Sequence, residues 1–226
     1  MKAVPRRLLV LGAGPAGVEL AQVVQRLGGQ AVVVEGADHV LSHAPAPLGE
    51  ALGEELRRDG IELILGTQVT EARREGDEFV LEHDRGDPVR GDRLLVATGR
   101  RPRVEGIGLE SVGITPDPHG IKVDEYLRAG DRLWAIGDVN GIWPLTHVGE
   151  YEGDVVAANI AGERHPTNYE AVPRVTYTDP RRQRLEQRKG PTPPPLCSPM
   201  CRRPPHTLTR TPVRRGFSRW SPTACA

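Results

Sequence analysis

The chain has 226 residues, with 30 basic and 30 acidic side chains, and 38% of its residues are hydrophobic. These values fit one large or two small globular domains. The longest apolar runs, 8–11 and 31–34, are too short to cross a membrane, and no apolar signal-peptide core follows Met1. We therefore expect a cytoplasmic protein that has no membrane partner.

The first predicted unit covers residues 7–35 and consists of a strand, a glycine turn, a helix and a second strand that ends in an acid. This is the order that a dinucleotide site requires. Gly12 lets the chain turn sharply, Gly14 removes a side chain where the backbone approaches a pyrophosphate, and Gly17 lets the helix lie close to the strand. A glycine turn that binds no ligand is the alternative that this motif alone leaves open.

The helix of this unit is predicted to begin at Pro15 or Ala16. Its free N–H groups and the positive end of its dipole would face the phosphates. Glu35 ends the second strand, where a carboxylate can accept both hydroxyls of an adenosine ribose. A 2′-phosphate would meet a negative charge there, and the next arginine is Arg57, so the pattern favours NADH over NADPH.

The following residues predict an α/β fold, because helical and strand patterns alternate. In chain order, the predicted elements are a helix at 48–58, a parallel strand at 61–65, short antiparallel strands at 67–74, 78–83 and 88–90, and an apolar strand at 93–97. Together they indicate a Rossmann-like fold in which a parallel sheet carries an antiparallel β-meander.

Two later segments carry a more specific signal. Residues 94–102 contain an Ala-Thr-Gly step followed by two arginines, and residues 133–139 read Leu-Trp-Ala-Ile-Gly-Asp-Val. With the glycine fingerprint, they resemble the flavin-dependent pyridine nucleotide-disulfide oxidoreductases, in the order of that family, over residues 7 to about 180. The resemblance implies an FAD/NAD(P)-binding fold in which NADH passes a hydride to FAD.

The resemblance also implies which residues touch the two cofactors. Asp138 would bind a hydroxyl of the flavin ribityl chain, the helix start at 145–147 would face the flavin pyrimidine, and Glu19 would lie near the nicotinamide. The complete set of expected cofactor-binding residues is Gly12, Gly14, Pro15, Ala16, Gly17, Glu19, Glu35, Gly99, Gly137, Asp138, Leu145, Thr146 and His147.

Three of these residues have simpler interpretations as well. Glu19 could be a solvated glutamate that complements the helix dipole, and Asp138 could be a turn residue at the end of a strand. His147 could be a helix cap, since a lone histidine near a helix start often has that role.

Several parts of the family's active site have no counterpart in the chain. No earlier glycine fingerprint, redox cysteine pair or His-Glu acid-base pair is matched. We therefore expect an incomplete FAD site and no catalytic residue in this chain. A missing polypeptide that supplies the other FAD half is a partner that this pattern leaves open. The expected domains are 1–100 for NAD, 101–166 for the C-terminal part of the FAD-binding domain, and 167–180 for the start of a dimerisation domain that is otherwise missing, although the family is homodimeric.

The last 46 residues differ in composition from the rest. Residues 181–226 hold 11 basic residues, one acid and nine of the 21 prolines, against 19 basic and 29 acidic residues in 1–180. Such a segment cannot bury enough surface to offset its chain entropy, so we expect a disordered or out-of-frame tail.

The three cysteines of the chain, Cys197, Cys201 and Cys225, all lie in this tail. Their spacings fit no standard zinc module, so no metal site is predicted. Nucleic-acid binding is also disfavoured, because the tail lacks a folded scaffold.

The predicted function is that of an FAD-dependent NAD(P)H oxidoreductase whose chain, taken alone, is not competent. Two alternatives stay open at this point: a non-catalytic NAD-binding module, and one half of a split flavoenzyme.

Overall fold

The structure, a computed structural model, describes residues 3–115 and 117–179, and the backbone of 182–186. In chain order, the elements are β1 Arg7–Leu11, α1 Pro15–Arg26, β2 Gln30–Val34, α2 Ala46–Arg58, β3 Glu62–Ile64, β4 Val69–Glu75, β5 Glu78–His83, β6 Val89–Gly91, β7 Arg93–Val96, β8 Arg128–Gly130, β9 Leu133–Trp134, α3 Thr146–Ile160, β10 Val172–Thr176 and β11 Arg182–Glu186. Short 3₁₀ helices lie at Leu109–Val112 and Gly137–Asn140.

The main sheet has four parallel strands in the order β3-β2-β1-β7. Its central strand β1 is apolar on both faces, as expected for a parallel strand that is covered on both sides. Leu8 and Val10 pack in one buried cluster with residues of α1 and α2, whereas Leu9 packs in another with β2 and the antiparallel strands. The Rossmann-like fold class is therefore confirmed.

The three strands β4, β5 and β6 form the predicted antiparallel meander. Leu81 of β5 and Val89 of β6 are buried against Leu9, so the meander covers one face of the parallel sheet. The predicted helices and the parallel strand at 61–65 are also present, with ends that differ by a few residues.

Residues beyond β7 form a third buried cluster around Val104, Leu109, Ile121 and Ala135. Its strands are short: β8 and β9 pair antiparallel with each other. Helix α3 packs next to the 3₁₀ helix at 137–140. The domain limits at 100 and 166 stay predictions.

The expectation of disorder from residue 181 onward is wrong for residues 182–186. These residues form β11, which pairs antiparallel with β10 over its whole length. Backbone pairing explains the strand, because a partner strand can order a segment of low intrinsic propensity. Residues 187–226, with the three cysteines, lie outside the described part of the chain. Within the described part, no helix combines the length and the apolar character that a membrane span needs.

Candidate functional site

The glycine turn lies between the ends of β1, β2 and β7. Gly12 has a φ of +102°, and its amide donates to the carbonyl oxygen of Val34 at 2.8 Å. A Cβ at Gly12 would lie 2.6 Å from the carbonyl oxygen of Ala97. Glycine is therefore required here both by the backbone conformation and by the contact with the residue that follows β7.

The other two glycines of the turn have different surroundings. A Cβ at Gly17 would lie 2.1 Å from the carbonyl oxygen of Gly12, so α1 can approach β1 only without a side chain at this position. A Cβ at Gly14 would meet no atom nearer than the Ala97 carbonyl oxygen, at 3.9 Å. The protein's own packing therefore does not require glycine at position 14, which lies at the start of α1, where a pyrophosphate could approach the backbone. Helix α1 begins at Pro15, and both Pro15 and Ala16 are exposed.

The half-buried Glu35 side chain lies beside this turn. Its Oε2 accepts a hydrogen bond from the amide of Ala13 at 2.6 Å, and its Oε1 accepts one from the amide of Ala37 at 3.0 Å. These two backbone donors fix the carboxylate at the end of β2, next to the glycine turn. A carboxylate so placed can accept ribose hydroxyls and disfavours a phosphate.

Glu19 lies one turn further along α1. Its Oε1 accepts a hydrogen bond from the amide of Tyr177 at 2.8 Å. The structure therefore gives Glu19 a hydrogen-bond partner in a segment 158 residues later in the chain, and its role near the nicotinamide stays a prediction.

Residues 97–100 join the glycine turn to the second predicted motif. Ala97 contacts Gly12 as described above, and Gly99 has a φ of +117° with no atom within 4 Å of a Cβ placed there. The guanidinium of Arg100 donates from Nη1 to Asp138 Oδ2 at 3.0 Å and from Nη2 to the Pro144 carbonyl oxygen at 2.9 Å. The two motifs are thus connected through residues 97–100, which contact both of them.

The second motif, residues 137–140, is a tight turn that is hydrogen-bonded to the buried acid Glu152. Gly137 has a φ of +71°, and its amide donates to Glu152 Oε2 at 2.6 Å. Asn140 Nδ2 donates to the same oxygen at 2.9 Å, and the hydroxyl of Tyr169 donates to Glu152 Oε1. Asp138 itself remains 53% exposed and borders an open cleft of about 500 Å³.

Burial raises the pKa of the Tyr169 phenol, and the adjacent Glu152 raises it further. The tyrosine therefore stays protonated and serves as a hydrogen-bond donor to the carboxylate.

The start of α3 lies against the same turn. A Cβ at Gly149 would lie 3.4 Å from the Cα of Gly137, so the first turns of the helix pass close to the Gly137 backbone. Leu145 precedes the helix in an extended conformation, and its carbonyl oxygen accepts from the amides of Val148 and Gly149. The amides of the first helical residues, Thr146 and His147, have no partner within the helix and are available to a ligand. Both side chains are exposed.

Two residues of this site were not predicted. Glu152 is fully buried, and its position could have been found from the spacing of the buried stripe on α3, which runs through Val148, Glu152, Val155 and Asn159. Arg100 stands directly after Gly99, but the sequence carries no signal that it pairs with an acid 38 residues away. Among the residues described, no group of three or more potential ligands is arranged to hold a metal ion.

Comparisons with known proteins show the family that the chain resembles. The family model described as pyridine nucleotide-disulphide oxidoreductase matches residues 1–153. A dihydrolipoyl dehydrogenase of Corynebacterium glutamicum is 35% identical over 185 residues, which cover 78% of this chain and 39% of that protein. Dihydrolipoyl dehydrogenase 3 of Pseudomonas aeruginosa is 39% identical over 183 residues, with 78% of this chain and 39% of that protein covered.

Solved structures show the same likeness. LpdA from Mycobacterium tuberculosis matches with a TM-score of 0.74 and 29% identity, over 80% of this chain and 40% of that one. The HOCl-induced flavoprotein disulfide reductase RclA from Escherichia coli matches with a TM-score of 0.75 and 26% identity, over 82% of this chain and 43% of that one. The chain spans about two fifths of the length of the curated relatives it matches. With a family model matching more than half of its residues, the chain belongs to the pyridine nucleotide-disulphide oxidoreductase family.

Proposed function

We propose that this chain binds NADH at the glycine turn and contributes one side of an FAD site, within an oxidoreductase that passes a hydride from NADH to FAD. The contact between Arg100 and Asp138 carries the proposal. It joins the segment that closes the dinucleotide turn to the residue expected to bind the flavin, so both cofactors would meet on one surface of the chain.

The chain's part in binding the dinucleotide follows from the glycine turn. The missing side chain at Gly14 would let a pyrophosphate approach the backbone, and the amides at the start of α1 would donate to it. Glu35 would accept the hydroxyls of the adenosine ribose and disfavour a 2′-phosphate, which supports a preference for NADH over NADPH. Glu19 would contact the nicotinamide half.

The residues around Gly137 fit a flavin on three counts. A Cβ at Gly137 would meet no atom within 4 Å, Asp138 is exposed, and the amides at the start of α3 are free of helical partners. Asp138 would accept a ribityl hydroxyl, and the α3 amides would stabilise negative charge on the ring. When bound, the flavin would accept the hydride of the reduced nicotinamide.

A second candidate is an NAD-binding module that carries no flavin. One observation favours it: the amides that fix the Glu35 carboxylate belong to Ala13 and Ala37, so the dinucleotide turn is held without any residue of the second motif. A third arrangement, one half of a split flavoenzyme, would place the remaining flavin contacts on another polypeptide. Homodimer formation and a cytoplasmic location are further parts of the proposal that rest on the family and the sequence.

The test uses the complete 226-residue chain. Titration of NADH fluorescence should show binding, and NADPH should bind more weakly. Incubation with FAD, removal of free FAD by gel filtration and a visible spectrum then separate the two candidates: retained yellow colour that is lost in Asp138→Ala supports the flavin site, and a colourless protein that binds NADH supports the module. Failure to bind NADH would overturn both.

We further expect that the chain alone does not oxidise NADH, because its flavin contacts lie on one side only and proximity dominates hydride transfer. A yellow preparation that turns over NADH would contradict this expectation.

A further inference from the structure

One face of helix α1 contacts a segment that directly follows β10. Glu19, Gln22 and Arg26 are spaced three and four residues apart, so they lie on one face of the helix. Each contacts residues 177–179, which directly follow β10. We name residues 177, 178 and 179 the 177–179 segment.

Gln22 determines the register of this contact. It is 4% exposed, and its side-chain amide forms a reciprocal pair with the backbone of Asp179. The Asp179 amide donates to Gln22 Oε1 at 2.8 Å, and Gln22 Nε2 donates to the Asp179 carbonyl oxygen at 2.9 Å. A side-chain amide that binds both the N–H and the C=O of one residue pairs with the backbone as a neighbouring β-strand would. It therefore fixes which residue of the 177–179 segment lies opposite Gln22.

Arg26 and Asp59 strengthen the same contact from the outside. Arg26 Nη1 donates to Asp179 Oδ2 at 2.8 Å, and its Nε donates to Asp59 Oδ2 at 2.9 Å. Gln22 Nε2 also donates to Asp59 Oδ2, at 2.7 Å. Asp59 thus holds Gln22 and Arg26 in place while both bind Asp179.

The pairing of Gln22 with Asp179 also positions Tyr177, at the other end of the 177–179 segment. With Asp179 fixed on Gln22, the amide of Tyr177 falls on the Glu19 carboxylate, one helical turn nearer the glycine turn. We propose that Gln22 is a positioning residue: by holding the 177–179 segment it sets the position of the Glu19 carboxylate relative to the nicotinamide half of the bound dinucleotide. This inference rests on the proposed NADH site and on the role proposed there for Glu19.

The test compares two ligands on the full chain, NADH and ADP-ribose, which lacks the nicotinamide. In Gln22→Leu, which keeps the volume and removes the paired hydrogen bonds, NADH affinity should fall about three- to tenfold while ADP-ribose affinity stays within about twofold. Gln25→Leu is the matched control, because Gln25 lies on the same helix but accepts from the Ala31 amide instead. It should change neither affinity.

Three further measurements distinguish release of the segment from a general loss of stability. Arg26→Ala alters a half-exposed side chain and should give the same selective loss, smaller in size. Amide hydrogen exchange should rise at Tyr177 and Asp179 in both variants, which shows that the segment is released. In a Glu19→Ala background, Gln22→Leu should have no additional effect on NADH, because it acts through Glu19.

The outcomes distinguish the positioning role of Gln22 from the dinucleotide site itself. Equal losses for both ligands, or release of the segment with unchanged NADH affinity, would overturn the positioning role while leaving the dinucleotide site intact. A chain that binds neither ligand overturns the proposed function and this inference together.

Discussion

The Glu152 carboxylate lies next to the Gly137 turn, and its Oε2 accepts a hydrogen bond from the Gly137 amide nitrogen at 2.6 Å. The carboxylate is fully buried, and both of its oxygens are hydrogen-bonded. A buried acid is tolerated when donors surround it, and removal of such an acid leaves those donors unpaired. The turn that presents Asp138 to the surface therefore depends on a residue of α3 that no ligand would touch.

Replacing Glu152 should destabilise the fold in a graded manner. Glu152→Ala leaves the Gly137 amide without its acceptor, removes the nearer of two acceptors of Asn140 Nδ2 and creates a cavity, which should lower the free energy of unfolding by about 2–4 kcal/mol. Glu152→Gln keeps one acceptor oxygen, and its amide can donate to Tyr169, so the loss should be smaller. Urea denaturation measures both. Glu150→Ala, an exposed position on the same helix, should stay within about 0.5 kcal/mol of the unaltered chain.

Two glycines of the fingerprint should separate folding from binding. Gly17→Ala would place a Cβ 2.1 Å from the Gly12 carbonyl oxygen, so it should lower both the stability and the NADH affinity. Gly14→Ala would meet protein atoms at van der Waals distance only, so the fold should stay intact while the methyl group obstructs the pyrophosphate and weakens NADH about tenfold or more. Thermal denaturation and NADH titration of both variants test this, and equal stability of the two variants would contradict it.

The fingerprint was predictable because the close approach of Gly17 to Gly12 and the positive φ of Gly12 belong to one strand-turn-helix unit, although Gly12 also contacts Ala97. Gly12 and Gly17 touch each other and the neighbouring strand, and such local geometry leaves a spacing that can be read in the sequence. Residues with distant partners gave no such signal. Gln22 binds Asp179, 157 residues away, and its type alone is compatible with a solvated helix position.

Strand β11 was missed for a different reason. The composition of 181–226 is an average over a long segment, and five residues that pair with β10 hardly change it. Disorder predicted from composition holds for a chain without a partner, and β10 supplies one here.

Glu35 should control the choice between NADH and NADPH. Glu35→Gln removes the charge but keeps an acceptor for the Ala13 or Ala37 amide, so the turn should hold its shape. Without the negative charge, the ratio of NADPH to NADH affinity should rise about tenfold. Glu62→Gln changes an exposed acid on the adjacent strand β3 that pairs with Arg7, and it should leave the ratio unchanged. A ratio that moves equally in both variants would exclude a specific role of Glu35.

The ion pair between Arg26 and Asp59 should make part of the stability depend on pH. The hydrogen bond from Arg26 lowers the pKa of Asp59 below its ordinary value of 3.8, with a further contribution from Gln22. A carboxyl group whose pKa is lower in the folded state stabilises the fold above the unfolded pKa, and this contribution disappears as the pH falls through the folded pKa. The difference in unfolding free energy between the unaltered chain and Asp59→Asn should therefore be constant near neutral pH and shrink below about pH 4.

In an Arg26→Gln background the same difference should depend less on pH, because the largest cause of the pKa shift of Asp59 has been removed. Denaturant unfolding at several pH values measures both differences, and an equally strong dependence in the two backgrounds would show that Arg26 is not its source.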